Sequence, residues 1–278
     1  MHKKQIILIS SAAILLILLV IFGKTVNPNK KVVEPIQEQN IQHFKFEKVL
    51  QNSKESLSQA HKALLLKIEK NAETHSGTEK IHALNHLANF WRDSARYYEP
   101  YLFYISEAAK LENSEKSLTF AAQQFTSSLL EVSEPSVQSW LATNAKVLFD
   151  KALSINPNND SSIIGLGACY ILGNISTNPM EGILPLKEIV TKNPANIYAQ
   201  LILGLGGKKS GQFDKAIERF LLIVEKQPTN IEAILHLAEC YEQKHDKLNA
   251  KIWYLKASSL INNEVIKKEI ENRINELK

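Results

Sequence analysis

One set of turn signals recurs at a fixed interval, and that interval narrows what the carboxyl-terminal half of this chain can fold into. Asn156-Pro157-Asn158, Asn193-Pro194-Ala195-Asn196 and Gln227-Pro228-Thr229-Asn230 stand in register, and Asn262-Asn263 takes the same place once more. Pro157 to Pro194 is 37 residues, Pro194 to Pro228 is 34, and Pro228 to Asn262 is 34. A constant period of this length marks a helical solenoid. One pair of helices cannot bury its apolar face alone, so each pair stacks on its neighbours. Small residues between the turns (Gly204, Ala216, Ala238, Ala250, Ala257) let helices approach closely, and Phe220, Tyr241 and Tyr254 fill the space beside them. Proline ends the second helix of a pair because it lacks an N–H and clashes with the preceding turn.

In the unit starting at Ile197 the pattern falls on Leu203-Gly204, Gly211, Ala216, Phe220 and Pro228. In the unit starting at Ile231 it falls on Leu237-Ala238, Tyr241, Ala250, Tyr254, Ala257 and Asn262. These residues at these spacings resemble the tetratricopeptide repeat (TPR) family. The resemblance implies an all-α chain, a TPR-type solenoid of helical hairpins. A third unit begins at Asp160 with Leu166-Gly167 and Tyr170, and three extra residues lengthen its internal turn around Ser176-Thr177-Asn178-Pro179. Upstream, Ala145, Phe149, Ala152 and Pro157 match a second helix, whose partner at 114–131 is long and matches poorly. Leu87-Ala88, Trp91, Ala108 and Asn113 look like a degenerate unit. The body is therefore read as an N-terminal helical region with degenerate TPR-like units, 47–133, and a TPR solenoid, 134–278. The solenoid ends in a capping helix whose Val265, Ile266, Ile270, Ile274 and Leu277 form one apolar stripe.

Residues 6–22 are apolar apart from Ser10 and Ser11. That is long enough for a short membrane-spanning helix, which needs roughly 17–25 residues. A cleaved secretory signal would end in small residues of the A-x-A kind. Gly23-Lys24-Thr25-Val26-Asn27-Pro28 follows instead, so 1–24 is read as an uncleaved N-terminal anchor spanning at 6–22. Lys3 and Lys4 favour a cytoplasmic start by the positive-inside rule, whereas Lys24, Lys30 and Lys31 argue the other way. A short amino-terminal tail is easily retained. The expected placement is a bacterial inner membrane, single pass, with the body periplasmic. Polar residues with Pro28 and Pro35 make 25–46 a linker.

Charge excludes one class of partner. The formal net charge is +4, from 33 Lys and Arg against 29 Asp and Glu. Five of the lysines lie in the first 31 residues, which hold no acid, so the body is close to neutral. A nucleic-acid partner needs a basic face or stripe, and composition offers none.

The chemistry-bearing motifs fail on inspection. His82 and His86 would share a helix face, but no Glu follows His82 and no third ligand stands at a suitable spacing, so no metal site is expected. The stretch from Gly204 to Gly211 superficially matches a phosphate loop. Such a loop needs Gly where Ile202 stands, and Ser or Thr where Lys209 stands. Gly165-Leu166-Gly167 follows no strand and lacks the third glycine of a dinucleotide fingerprint. Cys169 and Cys240 hold equivalent places two units apart, beyond the roughly 7 Å reach of a disulfide, and are read as small buried thiols. No catalytic residue and no cofactor is expected.

What is left is surface. By the resemblance, the first helix of each unit lines the concave face, where partners dock. Here that face would comprise Ile164, Ala168, Ile171, Tyr198, Leu201, Leu205, Lys208, Lys209, Glu232, Leu235, Glu239 and Glu242. The expected groove has an apolar floor, a small basic patch and an acidic rim, and would take an extended or helical peptide. Alternatively, some of these apolar residues pack between units. Some TPR proteins clamp a chaperone's terminal carboxylate with Lys, Arg and Asn; Glu232 and Glu239 argue against that here. The resulting expectation is a membrane-tethered, non-catalytic TPR protein mediating protein–protein interaction as a scaffold or assembly factor of a cell-envelope complex. The alternative is an exported carrier or accessory subunit binding a peptide or cell-wall component for an enzyme.

Overall fold

A computed structural model describes residues 44–277. The expected anchor and most of the expected linker lie outside them. Among the described residues no helix is long and apolar enough to cross a membrane.

The described chain is helical throughout. Helices α1 (Phe46–Glu55), α2 (Gln59–Thr74), α3 (Gly77–Asn89) and α4 (Tyr98–Glu112) form the amino-terminal part. Then come α5 (Glu115–Glu131), α6 (Pro135–Ile155), α7 (Asp160–Leu172), α8 (Met180–Lys192) and α9 (Ile197–Lys209). The last four are α10 (Phe213–Lys226), α11 (Ile231–Gln243), α12 (Lys247–Leu260) and α13 (Glu264–Glu276). Antiparallel pairs α7/α8, α9/α10 and α11/α12 are the three expected units, with α13 packed on α12.

The recurring asparagines explain the register. The side chains of Asn159, Asn196 and Asn230 accept hydrogen bonds from the N–H groups of Ser162, Ala199 and Ala233 at 2.9, 3.0 and 3.0 Å. Each therefore satisfies one of the N–H groups that a helix start leaves unpaired, worth about 1 kcal/mol. Asn263 caps α13 in the same way. Just before the caps, the Asn159, Asn196 and Asn230 N–H groups donate to the carbonyls of Asn156, Asn193 and Gln227, so one turn geometry is built three times.

Close packing follows from the small residues. A Cβ on Gly182 would sit 2.6 Å from the Gly167 carbonyl oxygen, and one on Gly204 would sit 2.6 Å from the Phe220 ring. Phe149 and Phe220 are fully buried at matching places in α6 and α10. Truncating such a ring costs about 3–5 kcal/mol.

Upstream the units are irregular but continuous with the rest. The α5/α6 pair stands where the poor match predicted a long partner. A single apolar cluster runs from Leu57 to Cys169, so it spans the 133/134 position at which the sequence reading divides the body. A buried hydroxyl pair, Thr119 with Ser162 at 2.8 Å, joins α5 to α7. Aromatic residues are dense between 90 and 104, where Phe90, Trp91 and Tyr101 are buried and Tyr98 is exposed. At Phe90–Ala95 the chain widens into a π-helical turn that ends at Arg96 in the left-handed region. Phe46 stacks on Phe103 and Trp140 at 4.6 and 5.5 Å, holding α1 to α4 and α6.

Candidate partner-binding face

The expected face is built by α7, α9 and α11, and the structure divides its residues into two groups. Ile164, Ala168 and Ile171 on α7 and Leu201 on α9 are buried. These four correct the expected apolar floor: the cores between helices enclose them, so they offer a partner little free area. Tyr198, Leu205 and Leu235 are half-buried, and Glu232 is exposed.

The charged residues correct the reading further. The expected basic patch and acidic rim meet each other. Lys208 on α9 pairs with the Glu239 carboxylate on α11. The His236 Nδ1 lies 3.1 Å from the same carboxylate, and its ring stands 5.2 Å from that of Phe220. Burial opposes ionisation of Glu239, but the hydrogen bonds from His236 and Lys208 outweigh it and hold the carboxyl at about 2. Glu242 pairs with Arg273 of α13, and the Tyr254 hydroxyl donates to Glu242 Oε2 at 2.9 Å. Burial, then that hydrogen bond, pushes the Tyr254 phenol up. Lys209 donates to the Leu172 carbonyl at 2.9 Å and to Asn174 Oδ1 at 2.8 Å, and burial lowers its pKa. Of the twelve expected residues, only Glu232 keeps an exposed charge with no partner across helices.

Three residues of this network escaped the sequence reading: His236, Arg273 and, in its hydrogen-bonding role, Tyr254. Arg273 is 31 residues from Glu242. Nothing local ties the two, and only the docking of α13 beside α11 joins them.

The remaining chemistry-bearing groups stay apart. Among the described residues, no group of three or more His, Cys, Asp or Glu side chains could hold a metal ion. His82 and His86 are exposed on α3. Cys169 and Cys240 are free and buried. Burial pushes their thiols up to about 12 and about 11, which leaves them protonated and unreactive.

Comparison with known proteins gives the following. No family model matches the chain. It is 32% identical over 110 residues to human interferon-induced protein with tetratricopeptide repeats 2, covering 37% of this chain and 22% of the relative. It is 24% identical over 131 residues to lipopolysaccharide assembly protein B of Haemophilus influenzae, covering 46% of this chain and 33% of the relative. The chain thus spans a third or less of the length of these curated relatives. Among solved structures, MamA (41-end) from Desulfovibrio magneticus RS-1 aligns with a TM-score of 0.46 at 22% identity, over 66% of this chain and 97% of that one. YrrB, a TPR protein with an unusual peptide-binding site, aligns with a TM-score of 0.46 at 19% identity, over 74% and 96%. With asparagine-capped helix pairs repeating in register and a tetratricopeptide relative aligned in sequence, the chain carries repeats of the tetratricopeptide type.

Proposed function

We propose that this chain is a membrane-tethered scaffold that holds a protein partner against the first helices of its stacked hairpins, as part of a cell-envelope complex. One observation carries the reading. The Asn caps put α9 and α11 in register, so Tyr198 and Glu232, and Leu201 and Leu235, occupy equivalent positions on adjoining hairpins. Tyr198, Leu205, Glu232 and Leu235 keep free area there. An extended segment laid across two hairpins would meet two half-buried leucines and an unpaired carboxylate, an arrangement suited to an apolar peptide with a basic residue. The likeness to a lipopolysaccharide assembly protein supports an envelope setting, and so does the apolar run at 6–22, read as a single-pass anchor with the body outside the cytoplasm.

The test is affinity capture of the full chain from membranes in mild detergent, followed by mass spectrometry. A stable, stoichiometric envelope protein is expected, and Leu205→Asp with Leu235→Asp should release it. Recovery of the chain alone would overturn the scaffold reading in favour of the carrier. Deleting 6–22 should move the chain to the soluble fraction; unchanged membrane association would remove the anchor from the proposal.

A further inference from the structure

The second hairpin lacks a side chain that its neighbours have. Counting eleven residues from the caps Asn159, Asn196 and Asn230 gives Tyr170, Gly207 and Tyr241. Counting ten gives Cys169, Gly206 and Cys240, both cysteines being fully buried. Where the first and third hairpins carry a tyrosine after a buried thiol, the second carries two glycines.

The space is open. A cavity of about 450 Å³ lies among α8, α9 and α10, with Gly206 and Gly207 as its floor and Met180, Ile183 and Leu203 as its walls. A second of about 320 Å³ shares Met180, Ile183 and Gly206 and runs on to Lys209 and Tyr170. Its lip is the seven-residue turn created by the three-residue insertion. That turn is built, since Ser176 Oγ accepts from the Asn178 N–H at 3.0 Å and Asn178 Oδ1 from the Met180 N–H at 3.2 Å. Peptide- and ligand-sized pockets begin near 300 Å³.

The rim is cationic and unneutralised. Lys187, Lys209, Lys215 and Arg219 line the two openings, against the single carboxylate of Glu218. Each of the bonded cations has a neutral acceptor. Lys215 donates to Gln212 Oε1 and Arg219 to Gln200 Oε1, both at 2.7 Å, while Lys209 holds a carbonyl and an amide oxygen. An apolar slot ringed by cations that lack carboxylate partners selects an acidic ligand with an apolar anchor.

We propose that the Gly206–Gly207 slot is a docking pocket for an acidic peptide segment of a partner protein. One large apolar or aromatic side chain of that segment takes the space the neighbouring hairpins give to tyrosine, and flanking carboxylates pair with Lys187 and Lys215. The pocket lies between hairpins at their internal turns, apart from the face formed by Tyr198, Leu205 and Leu235. It rests on the scaffold reading only in taking a protein as the partner.

The probe is a fluorescent peptide with one tryptophan flanked by glutamates, titrated into the full chain in detergent and followed by anisotropy. Binding is expected to weaken about tenfold on Lys187→Glu with Lys215→Glu, both exposed positions, and again when alanine replaces the tryptophan. Gly207→Tyr restores the repeat's own residue and should abolish binding by filling the slot. Its Cβ would lie 3.3 Å from the Ala216 nitrogen, so its melting curve is recorded as well. If that variant does not fold, the charge reversal decides. Absence of binding, equal binding of a lysine-flanked peptide, or binding untouched by Lys187→Glu with Lys215→Glu overturns the proposal. Leu205→Asp with Leu235→Asp should leave the probe's affinity unchanged, so a failed capture experiment and a failed slot are told apart.

Discussion

Two openings are each lined in part by α9, and they differ in one respect that volume does not report. The cavity bounded by Phe213, Glu239, Glu242, Tyr254 and Arg273 is the larger, at about 580 Å³, yet its charges are answered within the chain. Lys208 and His236 meet Glu239, while Arg273 and Tyr254 meet Glu242. The slot at Gly206–Gly207 is smaller, and its cations hold only neutral oxygens. A partner entering the first opening must break ion pairs before it makes any. A partner entering the second supplies carboxylates that the chain itself lacks there. Charge balance, more than size, separates a closed joint from a receptive one.

The comparison can be broken or sharpened by substitution. Phe220→Ala should have the largest effect, because its ring packs under Gly204 and beside His236, and a loss of about 3–5 kcal/mol in thermal or denaturant unfolding is expected. An unchanged midpoint would mean that the closed joint does not stand on that packing. Glu242→Gln replaces the carboxylate shared by Arg273 and Tyr254 with a neutral amide, at an expected cost of about 1–2 kcal/mol. It also leaves Arg273 without that partner, so the closed opening should now take up the acidic peptide probe weakly. No gain in uptake would show that paired charge is not what keeps it shut.

A pH titration isolates Glu239. Its folded-state carboxyl lies at about 2 against an ordinary 4.5, so its contribution is present above about pH 4.5 and fades as pH falls toward 2. The side chain is 41% exposed, so solvent screening holds the contribution to about 1 kcal/mol or less. Melting temperatures across that window should fall less steeply for Glu239→Gln than for the native chain; parallel curves would remove the pair from the account. The smallest effect belongs to the slot: Lys187→Ala and Lys215→Ala have no ion pair to break and should shift stability by no more than about 0.5 kcal/mol. A larger loss in calorimetry would reveal a structural role for these cations.

Much of the scaffold was legible because its signals are local. Asn159, Asn196 and Asn230 act on N–H groups three residues away, and Gly167, Gly204 and Ala238 permit close approach wherever they stand in a helix. Which residues of the expected face are buried or paired was not legible. Ile171 looks the same in sequence whether it faces a partner or the backbone of Gly206, which it does here at a distance that would not admit a Cβ. In sequence, Gly206 and Gly207 carry no signal of their own beyond a failed phosphate loop. Their meaning came from what the tyrosines at matching positions do and what surrounds the gap.

By itself the sequence determined the helix pairs, their caps and their interval, because each depends on bonds and contacts spanning a few residues. Only the tertiary structure decided which surface remains free. Lys208 with Glu239 and Glu242 with Arg273 are about thirty residues apart along the chain, and they meet because stacking brings their helices side by side. Coulomb attraction acts through space, so whether a charge is answered or open to a partner is settled by the fold.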